Sequence, residues 1–266
     1  MDERETYYTG EDSEEQPRKK RWPAWVFLLV IFLLIAAAVA VYWFVFRVAV
    51  VEASPSAHYS AEELVEAAAI PDGVHLYSFS SRDVEARMRL ACPYVKSIEM
   101  TRTVPDTIMI TVTEDTAVFY TELMGETWAL SAELRLLERL DPLEAEFRGL
   151  LCLRLPEIAV AVAGTPIEFA AEQSVSYVYD VLEDVRASSM FTRLDRVDLC
   201  DKTALVMIAD GLYRLEFGPV TDCALKLRIA EAVLRDKLFD NQTRAKLDLV
   251  NTSETSVIVD NQISLD

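Results

Sequence analysis

The longest apolar stretch of the chain lies close to its N-terminus. The 21 residues from Val26 to Phe46 carry no charge, and the uncharged stretch reaches back to Trp22. At about 1.5 Å per residue, a helix of this length spans about 31 Å, which matches the roughly 30 Å hydrocarbon core of a bilayer. We therefore predict a single transmembrane helix over residues 22–46.

Two other interpretations of this stretch are weaker. A buried core helix is rarely this long or this free of polar residues. A cleaved signal peptide would use the small residues Ala38-Val39-Ala40 as its cleavage site. However, the apolar region of a signal peptide normally covers only about 7 to 15 residues, and here the apolar run continues to Phe46. An uncleaved anchor is favoured.

Beyond the anchor, residues 47–114 have the pattern of a small α+β module. Alternating valines at its start indicate a strand, and Ser60-Ala61-Glu62-Glu63 is a capping-box pattern that begins a helix. A second helix is predicted between Ser80 and Pro93. Apolar and polar residues then alternate on both sides of Val104-Pro105-Asp106, which predicts a hairpin. The element order of this small module is β-α-α-β-β.

Residues 115–266 alternate between strand-like and helical patterns. Strand-like runs occur at residues 117–121, 127–130, 150–155, 196–199, 204–209, 213–217, 246–250 and 256–259. Two apolar stripes at helical spacing interrupt them, one at Val175, Val178, Tyr179, Leu182 and Val185 and one at Leu225, Ile229 and Val233. We predict a C-terminal β domain, the large module, with a mixed sheet and two or more helices. The fold class of the whole chain is α+β.

Charge predicts the orientation of the anchor and excludes one class of partner. A basic run at residues 18–21 precedes the anchor, and basic flanks stay on the cytoplasmic side. Residues 47–266 are therefore expected outside the cytoplasm. Residues 1–21, with seven acids, five bases and few apolar side chains, predict a disordered cytoplasmic tail. The net charge of −18, from 26 basic and 44 acidic residues, argues against nucleic-acid binding.

The sequence offers little material for catalysis. Its 7 glycines form no phosphate-binding motif, and its 2 histidines, His58 and His75, have no neighbours at metal-ligand spacing. No nucleophile motif occurs. We expect no catalytic residues, no metal, no cofactor and no small-molecule substrate, so the protein is not expected to be an enzyme. The four cysteines lie in apolar stretches and are expected to be free core residues.

A resemblance to a known family appears in the small module. Pro93-Tyr94-Val95 is followed by Arg102-Thr103-Val104-Pro105-Asp106-Thr107 and then by an alternating strand that ends at Glu114. This string, behind a membrane anchor, resembles the POTRA domain of the FtsQ/DivIB family of bacterial cell-division proteins. The resemblance implies a non-enzymatic, single-pass scaffold at the division septum. Its expected partners are FtsB/DivIC-like and FtsL-like coiled-coil proteins, which it would link to septal peptidoglycan synthesis.

The resemblance also implies where a partner binds. The last strands and the preceding helix would form the surface, with Asn251, Ser253, Val257 and Val259 as candidate contacts and Lys226 as a charge partner. An exposed terminal strand can accept another polypeptide by β-augmentation. The alternative for each position is that it merely completes the sheet.

Two other functions remain open from the sequence. One is a membrane-anchored extracytoplasmic hydrolase, which the scarcity of histidines argues against. The other is a POTRA-containing assembly or transport factor, for which tandem POTRA repeats or a downstream barrel would be typical, and the sequence shows neither.

Overall fold

The computed structural model describes residues 23–170, 175–235, 244–252, 255–260 and 262–265. The predicted cytoplasmic tail, residues 1–21, lies outside them. The chain divides into two units, one that ends at Phe46 and one that extends from Arg47 to Asp266.

The first unit contains the N-terminal helix α1, Ala24–Val45. Pro23, at its N-cap, has a fixed φ and no amide proton, so it suits the start of a helix. The stretch Trp25–Val45 is long and apolar enough to cross a membrane, and its side chains are not covered by protein. A long helix whose whole surface is apolar and exposed is typical of a membrane span. This N-terminal helix indicates a single-pass membrane anchor.

The small module folds in the predicted order. Its elements are β1 Val50–Ala53, α2 Ala61–Ala68, α3 Ser81–Ala91, β2 Val95–Thr103 and β3 Thr107–Glu114. The sheet order is β1-β3-β2, in which β3 runs parallel to β1 and antiparallel to β2. The predicted β-α-α-β-β arrangement is confirmed.

Local sequence signals account for these elements. Ser60 and Glu63 form a complete capping box at the start of α2. Leu64 and Met88, which face inward on the two helices, are fully buried, as is Ile108 on β3. Helix α2 packs on α3 and β1, and α3 packs on β2, so both helices cover one side of the small sheet.

The large module is built around a mixed sheet. Its helices are α4 Pro142–Phe147, α5 Ser176–Ala187 and α6 Cys223–Leu234, with a short 3-10 helix at Phe191–Arg193. Its strands are β4 Ala117–Leu123, β5 Glu126–Ser131, β6 Leu136–Leu140, β7 Leu151–Arg154, β8 Ile158–Val160, β9 Glu168–Phe169, β10 Leu194–Asp198, β11 Leu205–Ala209, β12 Tyr213–Gly218, β13 Ala245–Asp248 and β14 Ser256–Val259. Within the described residues nine strands form one sheet, in the order β14-β13-β12-β11-β10-β7-β4-β5-β6, and β8 pairs with β9 alone.

The core of the large module lies between one face of this sheet and helices α5 and α6. Buried side chains of the strands, such as Phe119 and Leu215, form one cluster with Val181 of α5 and Leu227 of α6. Two side chains of the predicted apolar stripes do not belong to this core: Tyr179 is 44% exposed and Leu225 is 40% exposed. Each lies one or two helix positions away from the side chains that actually face the sheet.

The sequence patterns missed β6, α4 and the β8–β9 pair, which are short or lack a regular alternation. The mixed α+β fold is confirmed. The division into modules at residues 114 and 115 stays a prediction.

Candidate partner-binding site

Strand β14 forms one edge of the nine-stranded sheet. It pairs with β13 in antiparallel register, and β13 is its neighbour on one side. Its three apolar side chains are well exposed, at 40% for Val257, 54% for Ile258 and 59% for Val259. An edge strand with exposed apolar side chains is a template for pairing with another chain.

The hydrogen-bond pattern shows which backbone groups of β14 point outward. The Asp260 amide donates to the Arg244 carbonyl over 3.2 Å, one step beyond the β13–β14 register. Because bonded and non-bonded pairs alternate in an antiparallel ladder, Ile258 bonds to β13 and Val257 and Val259 do not. The amides and carbonyls of Val257 and Val259 therefore face away from the sheet.

The side chains of β14 alternate between the two faces of the sheet. Val257 and Val259 lie opposite Leu247 and Ala245, whose side chains belong to the core between sheet and helices. Ile258 lies opposite Lys246, on the other face. An incoming strand would thus meet two valines on one face and an isoleucine on the other.

Three of the four candidate contacts lie on the edge strand or in the connection that leads to it. Val257 and Val259 lie on β14, and Asn251 is exposed in the connection between β13 and β14. Ser253 lies outside the described residues.

Lys226 differs from its expected role as an exposed charge partner. It lies on α6 with only 2% exposure, and its Nζ donates to the carbonyl oxygens of Phe217 and Pro219 over 2.7 and 2.8 Å. Burial lowers its pKa. Lys226 therefore joins α6 to the end of β12 from inside the protein, and the accessible surface does not include it. A sequence signal existed, since Lys226 shares the spacing of buried Cys223, Leu227 and Ala230.

A buried arginine, which the sequence did not mark as functional, joins the small module to the large one. Arg135 is buried, and its Nη2 donates to the carbonyls of Val95 and Gly164, each over 2.8 Å. Its Nη1 contacts Asp115 Oδ2 over 3.4 Å. One guanidinium thus bonds to the start of β2, to the junction after β3 and to the loop before β9.

A mixed polar cluster lies beside this contact. Tyr94 donates its phenol proton to Glu138 Oε1 over 2.6 Å, and Arg148 Nη1 donates to the same oxygen over 2.6 Å. The ring of His58 stacks on Tyr94 at 3.9 Å between centroids, and its Nδ1 is 2.9 Å from Glu114 Oε2. Of these contacts, the hydrogen bond from Tyr94 to Glu138 joins the two modules, across 44 positions of sequence.

The carboxylates of this cluster have shifted pKa values. Burial raises the pKa of Glu138, but hydrogen bonds from Tyr94 and Arg148 outweigh it, and the net pKa is lowered. Burial likewise raises the pKa of Glu114, and hydrogen bonds from Ser56 and His58 reverse the direction. Both acids are therefore held in the charged form.

The lowered pKa of Glu138 predicts an acid-dependent loss of stability. A depressed carboxyl pKa stabilises the fold above the unfolded value, about 4.3, and this contribution is lost as pH falls through the folded value. We expect the free energy of unfolding of residues 47–266 to decline below about pH 4.5, and Glu138→Gln to make the decline shallower. Urea denaturation at a series of pH values measures this, with exposed Glu122→Gln as the control. An unchanged decline in Glu138→Gln would show that Glu138 contributes nothing.

The described residues hold no group of three or more His, Cys, Asp or Glu side chains that is placed to bind a metal ion. All four cysteines are free thiols. Cys92 and Cys223 are buried as expected, but Cys200 is exposed, because it follows the end of β10. Partial burial raises the pKa of Cys200 to about 11, so its thiol stays protonated at neutral pH.

Comparison with known families identifies the small module. Residues 46–115 match the POTRA domain family of FtsQ type. The comparison with curated proteins found no match. The match covers 115 − 45 = 70 of the 266 residues, so it identifies the small module and leaves residues 116–266 without a family assignment. The chain thus contains an FtsQ-type POTRA domain directly after an N-terminal apolar helix, and the predicted POTRA module is confirmed.

Proposed function

We propose that this chain, with its FtsQ-type POTRA domain behind an apolar anchor, is a single-pass scaffold of the bacterial division machinery. It binds FtsB/DivIC-like and FtsL-like coiled-coil proteins outside the cytoplasm and links them to septal peptidoglycan synthesis. FtsQ-type POTRA domains are generally non-catalytic, which supports a binding role for this protein.

One observation supports the location of the binding site more than any other. Among the described residues, the outward amides and carbonyls of Val257 and Val259 form an unpaired edge about two hydrogen-bonding units long, flanked by exposed apolar side chains. Main-chain groups of a partner strand supply affinity at such an edge, and side-chain contacts supply specificity. Asn251 and Ser253, in the connection before β14, belong to the proposed contact surface by their place in the sequence.

The location of the protein is part of the same proposal. By the positive-inside rule, the basic run at residues 18–21 supports a cytoplasmic N-terminus. Residues 47–266 then face the extracytoplasmic side, where septal wall synthesis takes place. Residues 1–21 carry a net charge of −2 out of the total of −18, so residues 47–266 carry −18 + 2 = −16. Such an acidic exterior favours protein partners over anionic polymers.

Substitution at Val257 tests the proposed edge. Val257→Pro removes the outward amide without removing a bond to β13, since proline is tolerated on the open side of an edge strand. We expect this variant to bind the exterior segments of the FtsB/DivIC-like and FtsL-like proteins of the same cell about tenfold more weakly or worse. Surface plasmon resonance with the full chain in lipid nanodiscs measures the affinity.

Val257→Thr is the matched control, because threonine keeps both the β-branched shape and the amide. It should bind as the unchanged chain does, and both variants should melt cooperatively. Equal affinity of Val257→Pro and Val257→Thr would place the partner elsewhere on the protein.

A further inference from the structure

The segment after β14 turns back and crosses the sheet. Ile263 donates its amide to the Asp260 carbonyl over 3.2 Å, and Gln262 donates its amide to Asp260 Oδ1 over 2.9 Å. These two bonds form a tight reversal at the end of β14. The following residues therefore run over the face of the sheet and do not leave it. We call residues 262–265 the strap.

Three arginines hold the main chain of the strap. Arg244 Nη1 donates to the Ile263 carbonyl over 3.2 Å, Arg214 Nη1 to the Ser264 carbonyl over 3.3 Å, and Arg196 Nη1 to the Leu265 carbonyl over 3.3 Å. Three consecutive carbonyls of the strap thus accept hydrogen bonds from arginines that lie progressively further from the β14 edge of the sheet.

The order of these arginines shows the path of the strap. Arg244 lies just before β13, Arg214 on β12 and Arg196 on β10. Registers across the sheet place Arg196, Ile208, Arg214, Lys246 and Ile258 in one row. This row lies on the outer face, which is the face opposite α5 and α6. The strap thus runs along the row from the edge toward the centre.

Burial agrees with this path. Ile208, in the row between Arg196 and Arg214, is only 6% exposed although helices α5 and α6 lie on the opposite face of the sheet. Within the strap, Ile263 and Leu265 are half-buried and Gln262 and Ser264 are exposed. This alternation is typical of an extended segment that packs one side against a surface.

Strand β14 has little else to hold it in the sheet. It pairs with β13 over four residues, and all four of its residues are exposed. A short pairing with no buried side chain contributes little stability, and such strands open locally in native proteins. The strap is joined directly to β14 and bonds to three arginines, one of which, Arg196, lies on β10, four strands away from β14.

We propose that the strap fixes β14 in the sheet and so presents its outward edge to the partner. Arg196, Arg214 and Arg244 are positioning residues for partner capture: they do not touch the partner strand but keep its template ordered. The inference has two halves. The structural half, that the strap orders β14, concerns this chain alone. The binding half, that this order favours partner capture, rests on the proposed function.

Hydrogen exchange of the full chain in lipid nanodiscs, without partner, tests the structural half. A chain that ends at Asp260 and the variant Arg196→Ala/Arg214→Ala should each exchange the Ile258 amide, which bonds to β13, about tenfold faster or more, since several charge-assisted hydrogen bonds are lost. Exchange in β11 should stay unchanged, which shows that the sheet is intact. Arg154→Ala is the matched control, because Arg154 lies on the outer face but donates to Asp198.

Partner affinity, measured on the same variants, tests the binding half. We expect a loss of about tenfold in the shortened chain and the double variant, and none in Arg154→Ala. Unchanged exchange of β14 in the shortened chain would overturn the proposal, and so would faster exchange with unchanged affinity. If the unaltered chain binds no division partner, the proposed function fails, and the exchange comparison still decides whether the strap orders β14.

Discussion

Replacing Arg135 with alanine is expected to lower the free energy of unfolding of residues 47–266 by about 3–5 kcal/mol. Both the guanidinium and the Asp115 carboxylate are almost fully buried, with 5% and 7% of their side chains exposed. Removing the cation leaves a buried anion without this partner, and the carbonyls of Val95 and Gly164 without this donor. Each loss costs the full desolvation of a polar group.

Urea denaturation followed by tryptophan fluorescence measures this effect. Arg139→Ala is the matched control, because Arg139 makes an ion pair with Glu126 on the surface, where 64% of its side chain is exposed. Surface pairs contribute about 0–1 kcal/mol. If Arg135→Ala and Arg139→Ala destabilise the protein equally, the two modules are not joined through Arg135.

Gly164→Ala is expected to produce the second large effect, a decrease of about 2–5 kcal/mol in the free energy of unfolding. Gly164 has a φ of +83°, and a Cβ there would lie 1.8 Å from the carbonyl oxygen of Arg89 on α3. Real Cβ atoms do not approach backbone this closely, so either the loop or α3 must move. Movement of the loop also withdraws the Gly164 carbonyl from Arg135.

Gly125→Ala separates the contact from the backbone strain. Gly125 has a φ of +80°, but a Cβ there meets nothing within 4 Å. The control should be destabilised only by the strain of an alanine in the left-handed region, by about 1–2 kcal/mol. Thermal denaturation of both variants gives the comparison. Identical melting temperatures would mean that the loop before β9 does not press on α3.

The small module was predictable because its signals are local. The capping box at Ser60 and the alternation that leads to Glu114 each specify structure within a few residues. The hydrogen bonds from Arg135 to Val95 and Gly164 were not predictable, since they join segments 29 to 40 positions apart. Their partners are main-chain carbonyls, which leave no mark in the sequence.

The candidate site was predictable only in part. The pattern of residues 256–259 predicts a strand, and β14 has the same bounds in the structure. Which amides face outward depends on the register with β13, and no residue of β14 encodes that register alone. Lys226 was misjudged because lysine is rarely buried; its two carbonyl partners, one at the end of β12 and one just after it, compensate for the lost hydration.

The central claim is that a partner strand adds to the outward edge of β14. Amide exchange of residues 47–266, followed by NMR with and without the FtsB/DivIC-like exterior segment, tests it most directly. We predict that the amides of Val257 and Val259 become protected when the partner binds, while the amide of Ile258, already bonded to β13, changes little. Binding that leaves Val257 and Val259 in fast exchange would contradict the claim.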